Sequence, residues 1–444
     1  MPTILWFRRD LRCHDHPALL EAAERDGDVL ACYVLDPRLA ASSGRRRLQY
    51  LHRALHDLSD SLGGRLLVTR GRPEQRIPEL ARAVGAASVH VSQDHSPFGR
   101  RRDEEVATAL GDIPLRATGS AYLVSPGRVT KSDGAPYQVF TPFFRAWRQH
   151  GWRHPADSSA GSATWIDPAD VPADTRAAVD IPSATEDLTF DAGERAARSQ
   201  WREFVTGDLE GYPAQRDRPD LDATSRMSAH LKFGAIHPRT MAADLGPGDQ
   251  TYLRELAFRD FYAAVLHHWP DSAWSNWNRD FDAIEVDEDE GARRVFEAWK
   301  AGRTGFPIVD AGMRQLAATG FMHNRVRMIV ASFLVKDLHL PWQWGARWFL
   351  DQLIDGDLAS NQHGWQWAAG CGTDAAPYFR VFNPTLQGAK FDPGGDYVRR
   401  WVRELAGVDD VHKVGADRPA GYPEPIVDHA AERVEALRRY RRLG

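Results

Sequence analysis

Residues 3–35 read TILWFRRDLRCHDHPALLEAAERDGDVLACYVL, and this stretch decides the N-terminal fold. Ile4 to Phe7 is a short apolar run, the pattern of a buried strand. A polar loop follows, then a helix from about Pro17, then a second strand from Val29 to Leu35. The alternation continues. Arg47 to Leu62 carries Leu48, Leu51, Leu55, Leu58 and Leu62 at helical spacing, and Leu66 to Thr69 is a third strand. Ile77 to Val84 is helical and Ser88 to Ser92 is a fourth strand. Asp103 to Leu110 is helical and Leu115 to Thr118 is a fifth strand candidate. Strands alternating with helices predict a Rossmann-like parallel sheet covered on both faces. Neither GxGxxG nor GxxxxGK[ST] follows a strand, so the pattern predicts a fold without a nucleotide motif.

From Trp152 to Asp191 the composition shifts to Pro, Ala, Ser and Asp without a sustained period, which reads as a connector. From about Gly193 the chain reads as helical throughout, in Ala196 to Phe204, Tyr252 to His267, Arg293 to Ala301 and Phe321 to Leu338. The expected organisation is an α/β domain over 1–130, a connector over 131–192 and an all-α domain over 193–444. The 444 residues hold 15 tryptophans, three cysteines and a formal net charge of −5. An acidic total requires a nucleic-acid binder to gather its cations on one face. Cys13, Cys32 and Cys371 are too scattered for a disulfide framework or a structural zinc site, which fits a cytoplasmic protein. No apolar run is long enough for a membrane span.

Four clusters carry chemistry. Thr224-Ser225-Arg226-Met227-Ser228, with Tyr212 upstream, offers hydroxyls, N–H groups and a cation just before a helix from Ala229 to Phe233. That suits a pyrophosphate, although on spacing alone an ordinary N-cap is the preferred reading. Glu255, Phe258, Arg259 and Tyr262 share one helical face, which suits a planar polar ligand or a plain i,i+4 ion pair. Asn324, Arg327 and Met328 share another face, opposite Val326, Ile329, Val330, Phe333 and Leu334. His323 reads as structural. Asp355, Asp357, Asn361, Trp365 and Trp367 form the densest cluster, continued by Thr373, Asp374, Pro377, Tyr378, Phe379 and Arg380. Buried carboxylates need partners, and Arg327 is the candidate. No metal-ligand geometry and no nucleophile motif competes. Trp342, Trp344 and Trp348 read as core.

Together these clusters resemble the photolyase/cryptochrome family across essentially the whole chain. The opening WFRRDLR with HDHPAL, the run TGFPIVDAGMRQLAATGFMHNRVRMIVASFLVKDL and the run DGDLASNQHGWQWAAGCGTDAAPYFRVFNP carry the resemblance. It implies an α/β antenna domain and a helical FAD-binding domain, and most resembles the class I cyclobutane pyrimidine dimer branch. By motif, Tyr212 and Thr224 to Ser228 would hold the phosphates and ribose of FAD. Arg327 and Asp355 would pair beside the isoalloxazine, with Asp357 near and Asn361 opposite flavin N5. The implied substrate is a dimer flipped out of damaged double-stranded DNA. Glu255 would bond its carbonyl edge, Asn324 and Met328 would contact its bases, and Trp367 would wall it. Arg216, Phe258, Arg259, Arg325, Arg380 and Gln387 would contact DNA or the pocket. Relatives that repair (6-4) photoproducts carry histidines where Asn324 and Met328 stand, so a cyclobutane dimer is the expected lesion. A monomer without membrane attachment is expected.

Two positions depart from the family pattern. Phe258 stands where a tryptophan is usual, which predicts weaker dimer binding. Trp365 and Trp342 match two members of the tryptophan route that reduces the flavin, but the surface member should fall near Val286 to Asp289, where IEVDEDEGARR has none. Slow photoreduction, or an exit through Trp344, Trp348 or a tyrosine, is expected. The segment SQDHSPFGRRRDEEV resembles the 8-hydroxy-5-deazaflavin antenna type; methenyltetrahydrofolate or no antenna are the alternatives, and Arg100 to Arg102 also read as a solvated charge run. The rival function is a cryptochrome-like blue-light receptor without repair.

Overall fold

The computed structural model describes residues 1–444 except 25–26, 185–187, 189–190, 375–379, 415–417 and 444. Five strands form one sheet: β1 Thr3–Phe7, β2 Val29–Leu35, β3 Leu66–Arg70, β4 Val89–Gln93 and β5 Leu115–Ser120. Their order is β3-β2-β1-β4-β5, and every pairing is parallel. Thr3 pairs with Val29 and Ile4 with Val89, which fixes β1 at the centre. β1 is buried at all its residues, as a strand covered on both faces must be.

The helices Pro73–Ala83 and Pro97–Leu110 start earlier than apolar spacing predicts. A proline opens each one, because its missing N–H costs nothing in the first turn. Arg8 bonds Asp103 and the Ser92 carbonyl where β1 and β4 end. Arg102 pairs with Asp94 and Asp103. Its side chain is 6% exposed, so it does not belong to a solvated charge run, although Arg100 and Arg101 are exposed.

The segment 131–192 holds a helix, Phe140–His150, that composition did not reveal. Further on it bonds to the sheet: Val29 N donates to Thr164 O, Ile166 N to Val29 O, and Val179 N to Val68 O. From residue 193 onward every described element is helical. Two compact units emerge. One is Met1–Glu210 with Ser225–Pro270; the other is Gly211–Thr224 with Asp271–Gly444. The long helix Gln250–His268 therefore belongs with the sheet. The second unit has its own core around Trp299, Met313, Val330, Phe333, Phe349 and Trp365. Among the described residues no helix is long and apolar enough to cross a membrane.

Candidate active site

In the first unit, Gln250–His268 buries Tyr252, Leu256, Ala257, Asp260 and Phe261 and leaves Arg254, Glu255, Phe258, Arg259 and Tyr262 half-buried. The face expected from spacing therefore exists. The Phe258 ring lies flat on Phe140, with centroids 3.5 Å apart and planes 7° apart. The Arg254 guanidinium caps Phe140 and Phe144 at 5.1 and 5.0 Å. Sequence reasoning missed this backing; the run FTPFF was its only signal.

Arg259 donates to Ala121 O at 2.6 Å and Leu231 O at 3.2 Å, and lies over the Tyr122 ring. These are the partners of a structural arginine, so the expected DNA contact is withdrawn. Next to it, Asp260 accepts from Val124 N at 2.9 Å and Trp147 Nε1 at 3.0 Å. Burial outweighs these bonds and pushes the carboxyl up to about 6.

The Ser225–Ser228 stretch is braced from inside. Ser225 Oγ bonds the Tyr252 hydroxyl at 2.7 Å, and Gln200 Nε2 donates to Ser225 O at 2.7 Å. Gln200 also meets His230, whose Nδ1 bonds the Tyr50 hydroxyl at 2.6 Å. Arg226 adopts φ 52°, a left-handed conformation uncommon for a side-chain-bearing residue. The helix Ser228–Phe233 has Met227 at its cap position and no side-chain cap bond, so the ordinary N-cap explanation fails for these hydroxyls.

In the second unit, Tyr212 is buried, Thr224 is half-buried, and Arg216 lies over the Tyr212 ring at 5.5 Å. The helix Asn324–Lys336 begins three residues later than expected, because His323 caps it by accepting from Arg325 N at 3.2 Å. Asn324 is exposed, Arg327 and Met328 are half-buried, and Val326, Ile329, Val330, Phe333 and Leu334 are buried, as the spacing required. Arg325 pairs with Asp217 at 2.7 Å and lies over Phe391. Arg327 donates to Met322 O at 2.7 Å and to Asp355 Oδ2 at 2.8 Å, which realises the expected ion pair. Asp355 Oδ1 is buried and has no hydrogen-bond partner among the described residues.

Asp357 caps the helix Leu358–Ala369. Along it, Asn361, Gly364 and Trp367 form a half-buried stripe, while Trp365 is buried. Asn361 Nδ2 donates to Ala346 O at 3.0 Å. A methyl group added at Gly364 would meet nothing within 4 Å, so open space lies beside Asn361. Gly345 lets the Trp365 indole pack on its backbone; a Cβ there would lie 2.1 Å from that ring. Gln387 is half-buried, Arg380 is exposed, and the Arg380 carbonyl accepts from the buried Lys336 ammonium. Pro377, Tyr378 and Phe379 lie outside the described residues. Among the described residues no His/Cys/Asp/Glu group is arranged to hold a metal ion.

Comparison with known proteins extends this geometry. The family model for DNA photolyase matches residues 3–160, and the one for the FAD binding domain of DNA photolyase matches residues 252–442. A deoxyribodipyrimidine photo-lyase of Agrobacterium fabrum is 39% identical, with 99% of this chain and 97% of the relative covered. The crystal structure of a bacterial class III photolyase from Agrobacterium tumefaciens has a TM-score of 0.89 at 38% identity, covering 100% of this chain and 97% of the other. An archaeal photolyase from Sulfolobus tokodaii, solved with two FAD molecules, has a TM-score of 0.88 at 30% identity, covering 100% of both chains.

Proposed function

The chain belongs to the DNA photolyase family, and on that premise we propose that it uses light to split cyclobutane pyrimidine dimers in duplex DNA. It is a FAD-binding DNA repair enzyme. Two features of its own residues fit the cofactor. Asp355 keeps one buried oxygen without a partner among the described residues, beside the Arg327 cation, and space is open over Gly364 next to Asn361. A buried acceptor of this kind is costly unless a ligand donor meets it. FAD, when bound, supplies the light-driven electron transfer.

The residues do the rest. Arg327 and Asp355 fix a charge pair beside the flavin ring, with Asp357 and Asn361 near it. Tyr212 and Thr224 to Ser228 hold the phosphates and ribose, with the hydroxyl of Ser225 locked by Tyr252 and its carbonyl by Gln200. Glu255 bonds the carbonyl edge of the flipped dimer and stabilises the charge that develops there. Asn324 and Met328 contact the bases, Trp367 and Phe258 offer apolar walls, and Arg216, Arg325, Arg380 and Gln387 line the DNA side.

The observation that carries the lesion assignment is the exposed face of Asn324–Lys336. It presents Asn324 and Met328, not a pair of proton-transferring histidines. The class I reading rests on these residues alone, since overall similarity extends to a class III structure. The SQDHSPFGRRRDEEV segment supports an 8-hydroxy-5-deazaflavin antenna, which extraction and absorbance would identify. A monomer working in the cytoplasm completes the proposal.

The test is repair of a thymine-dimer oligonucleotide by purified, chemically reduced protein in blue light against darkness. Light-dependent repair is expected, and Glu255→Ala should lower its quantum yield severalfold at unchanged FAD content. No repair by protein with reduced FAD bound would favour a receptor instead.

A further inference from the structure

The family's tryptophan route lacks its surface member here, and the structure explains why that place is taken. Glu285 pairs with Arg438 and Asp287 with Arg439, both from the helix His429–Arg441, and Glu285 also pairs with Arg442 at the end of that helix. An indole in place of Asp287 would remove a carboxylate that holds this helix. The electron must enter elsewhere.

We propose that Trp274 is the solvent-side end of the route that carries electrons toward the flavin, in the order Trp274, Trp342, Trp365. This rests on the reading that FAD lies beside Trp365. Trp274 is 41% exposed, while Trp342 and Trp365 are 5% and 3% exposed. Trp342 is tied to the Trp274 segment: its Nε1 donates to Asn276 Oδ1 at 2.8 Å. The next residue, Gln343, donates to Trp274 O at 3.4 Å, and Arg347, one turn further, lies over the Trp274 ring at 5.1 Å. Trp274 thus sits against the first turns of Trp342–Gln352, whose backbone at Gly345 carries the Trp365 indole.

The polar groups favour this direction. The Asn276 oxygen accepts from the Trp342 indole, and the Asn276 amide donates to Asp282 at 2.9 Å, so positive charge on Trp342 is supported. At Trp274 the Arg347 cation disfavours a lasting positive charge and favours loss of the indole proton to water. That loss traps the vacancy at the surface.

The competing route is weaker. Trp365 meets Trp299 edge-on at 6.1 Å, but the next ring is Phe296, which is harder to oxidise than an indole. Only beyond it comes Trp344, 5.3 Å from Phe296 and covered by Arg293.

The electrons balance as follows. Trp365 gives one electron to the photoexcited oxidised flavin and is refilled by Trp342, which is refilled by Trp274. Trp274 releases its N–H proton, and an external thiol returns one electron and one proton. Without thiol, dissolved dioxygen adds to the neutral ring radical, and the peroxyl so formed takes back the electron held by the flavin and one proton from water, leaving a tryptophan hydroperoxide.

The experiment uses FAD-loaded, oxidised protein in blue light. With a thiol present, Trp274→Phe should slow flavin photoreduction severalfold, as Trp342→Phe does, while Trp344→Phe should not. Melting temperature and flavin content check that each variant is folded and loaded. Without thiol in aerated buffer, peptide mass spectrometry should find oxygenated tryptophan at position 274 in light but not in darkness. Unchanged photoreduction in Trp274→Phe, or oxygenation at Trp344 or Trp348 instead, overturns the proposal. If Trp365→Phe and Trp342→Phe also photoreduce normally, the FAD placement fails, a result separable from failure of Trp274 alone.

Discussion

Asp260 and Asp355 are both carboxylates with one oxygen bonded and the other buried without a partner among the described residues. Their surroundings differ. Asp260, on the inner face of Gln250–His268, accepts from Val124 N and the Trp147 indole, the neighbouring Arg259 spends its hydrogen bonds on carbonyls, and burial holds the carboxyl up near 6. Asp355 faces the Arg327 guanidinium at 2.8 Å. An unsatisfied oxygen amid neutral donors is a tolerated cost of packing. The same oxygen beside a fixed cation is positioned to accept from a ligand donor. The contrast separates a structural acid from a binding one more sharply than burial does.

The contrast can be broken in several ways. The largest effect on the site should come from Asp355→Ala, which strands Arg327. Because Arg327 is 25% exposed, the loss should fall below the full value for a broken buried pair, at about 2–3 kcal/mol. Flavin absorbance per protein should drop with it, and retention of FAD at the parental affinity would break the comparison.

Asp260→Asn should act on stability through pH. Between the ordinary carboxylate value of 3.8 and about 6, folded Asp260 holds a proton that the unfolded chain has released. Stability of the parent should therefore fall as pH rises through that window, by up to about 3 kcal/mol. Urea unfolding at points across the window should show this slope reduced in Asp260→Asn, with FAD content retained.

The smallest effect should be Gln200→Ala. Removing its bond to the Ser225 carbonyl, with the longer contact to His230, should cost about 1 kcal/mol, or about fivefold in FAD affinity, read by titrating the apoprotein.

Much of this was legible in advance. Strands β1 to β5 appeared as short apolar runs, and the faces of Gln250–His268 and Asn324–Lys336 followed from helical spacing, because both periods are written in the order of residues. The Arg327–Asp355 pair was legible for another reason: a buried acid must find a cation, and few were near. The helix Phe140–His150 was missed inside a segment read as connector. Arg259 was misassigned because a guanidinium on a half-buried face looks the same whether it meets phosphate or carbonyl oxygens. The brace from Gln200 to Ser225 spans 25 residues and leaves no periodic trace.

By itself, the sequence determined the alternating sheet, the helical remainder, the chemistry-bearing faces and the absence of tryptophan between Val286 and Asp289. The tertiary structure alone decided which polar groups spend their bonds inside. It turned Arg259 inward to carbonyls, laid Phe140 under Phe258, and left Asp355 one oxygen short. The physical reason is that periodicity fixes which face a residue occupies, whereas a hydrogen bond depends on which distant segment folds against that face.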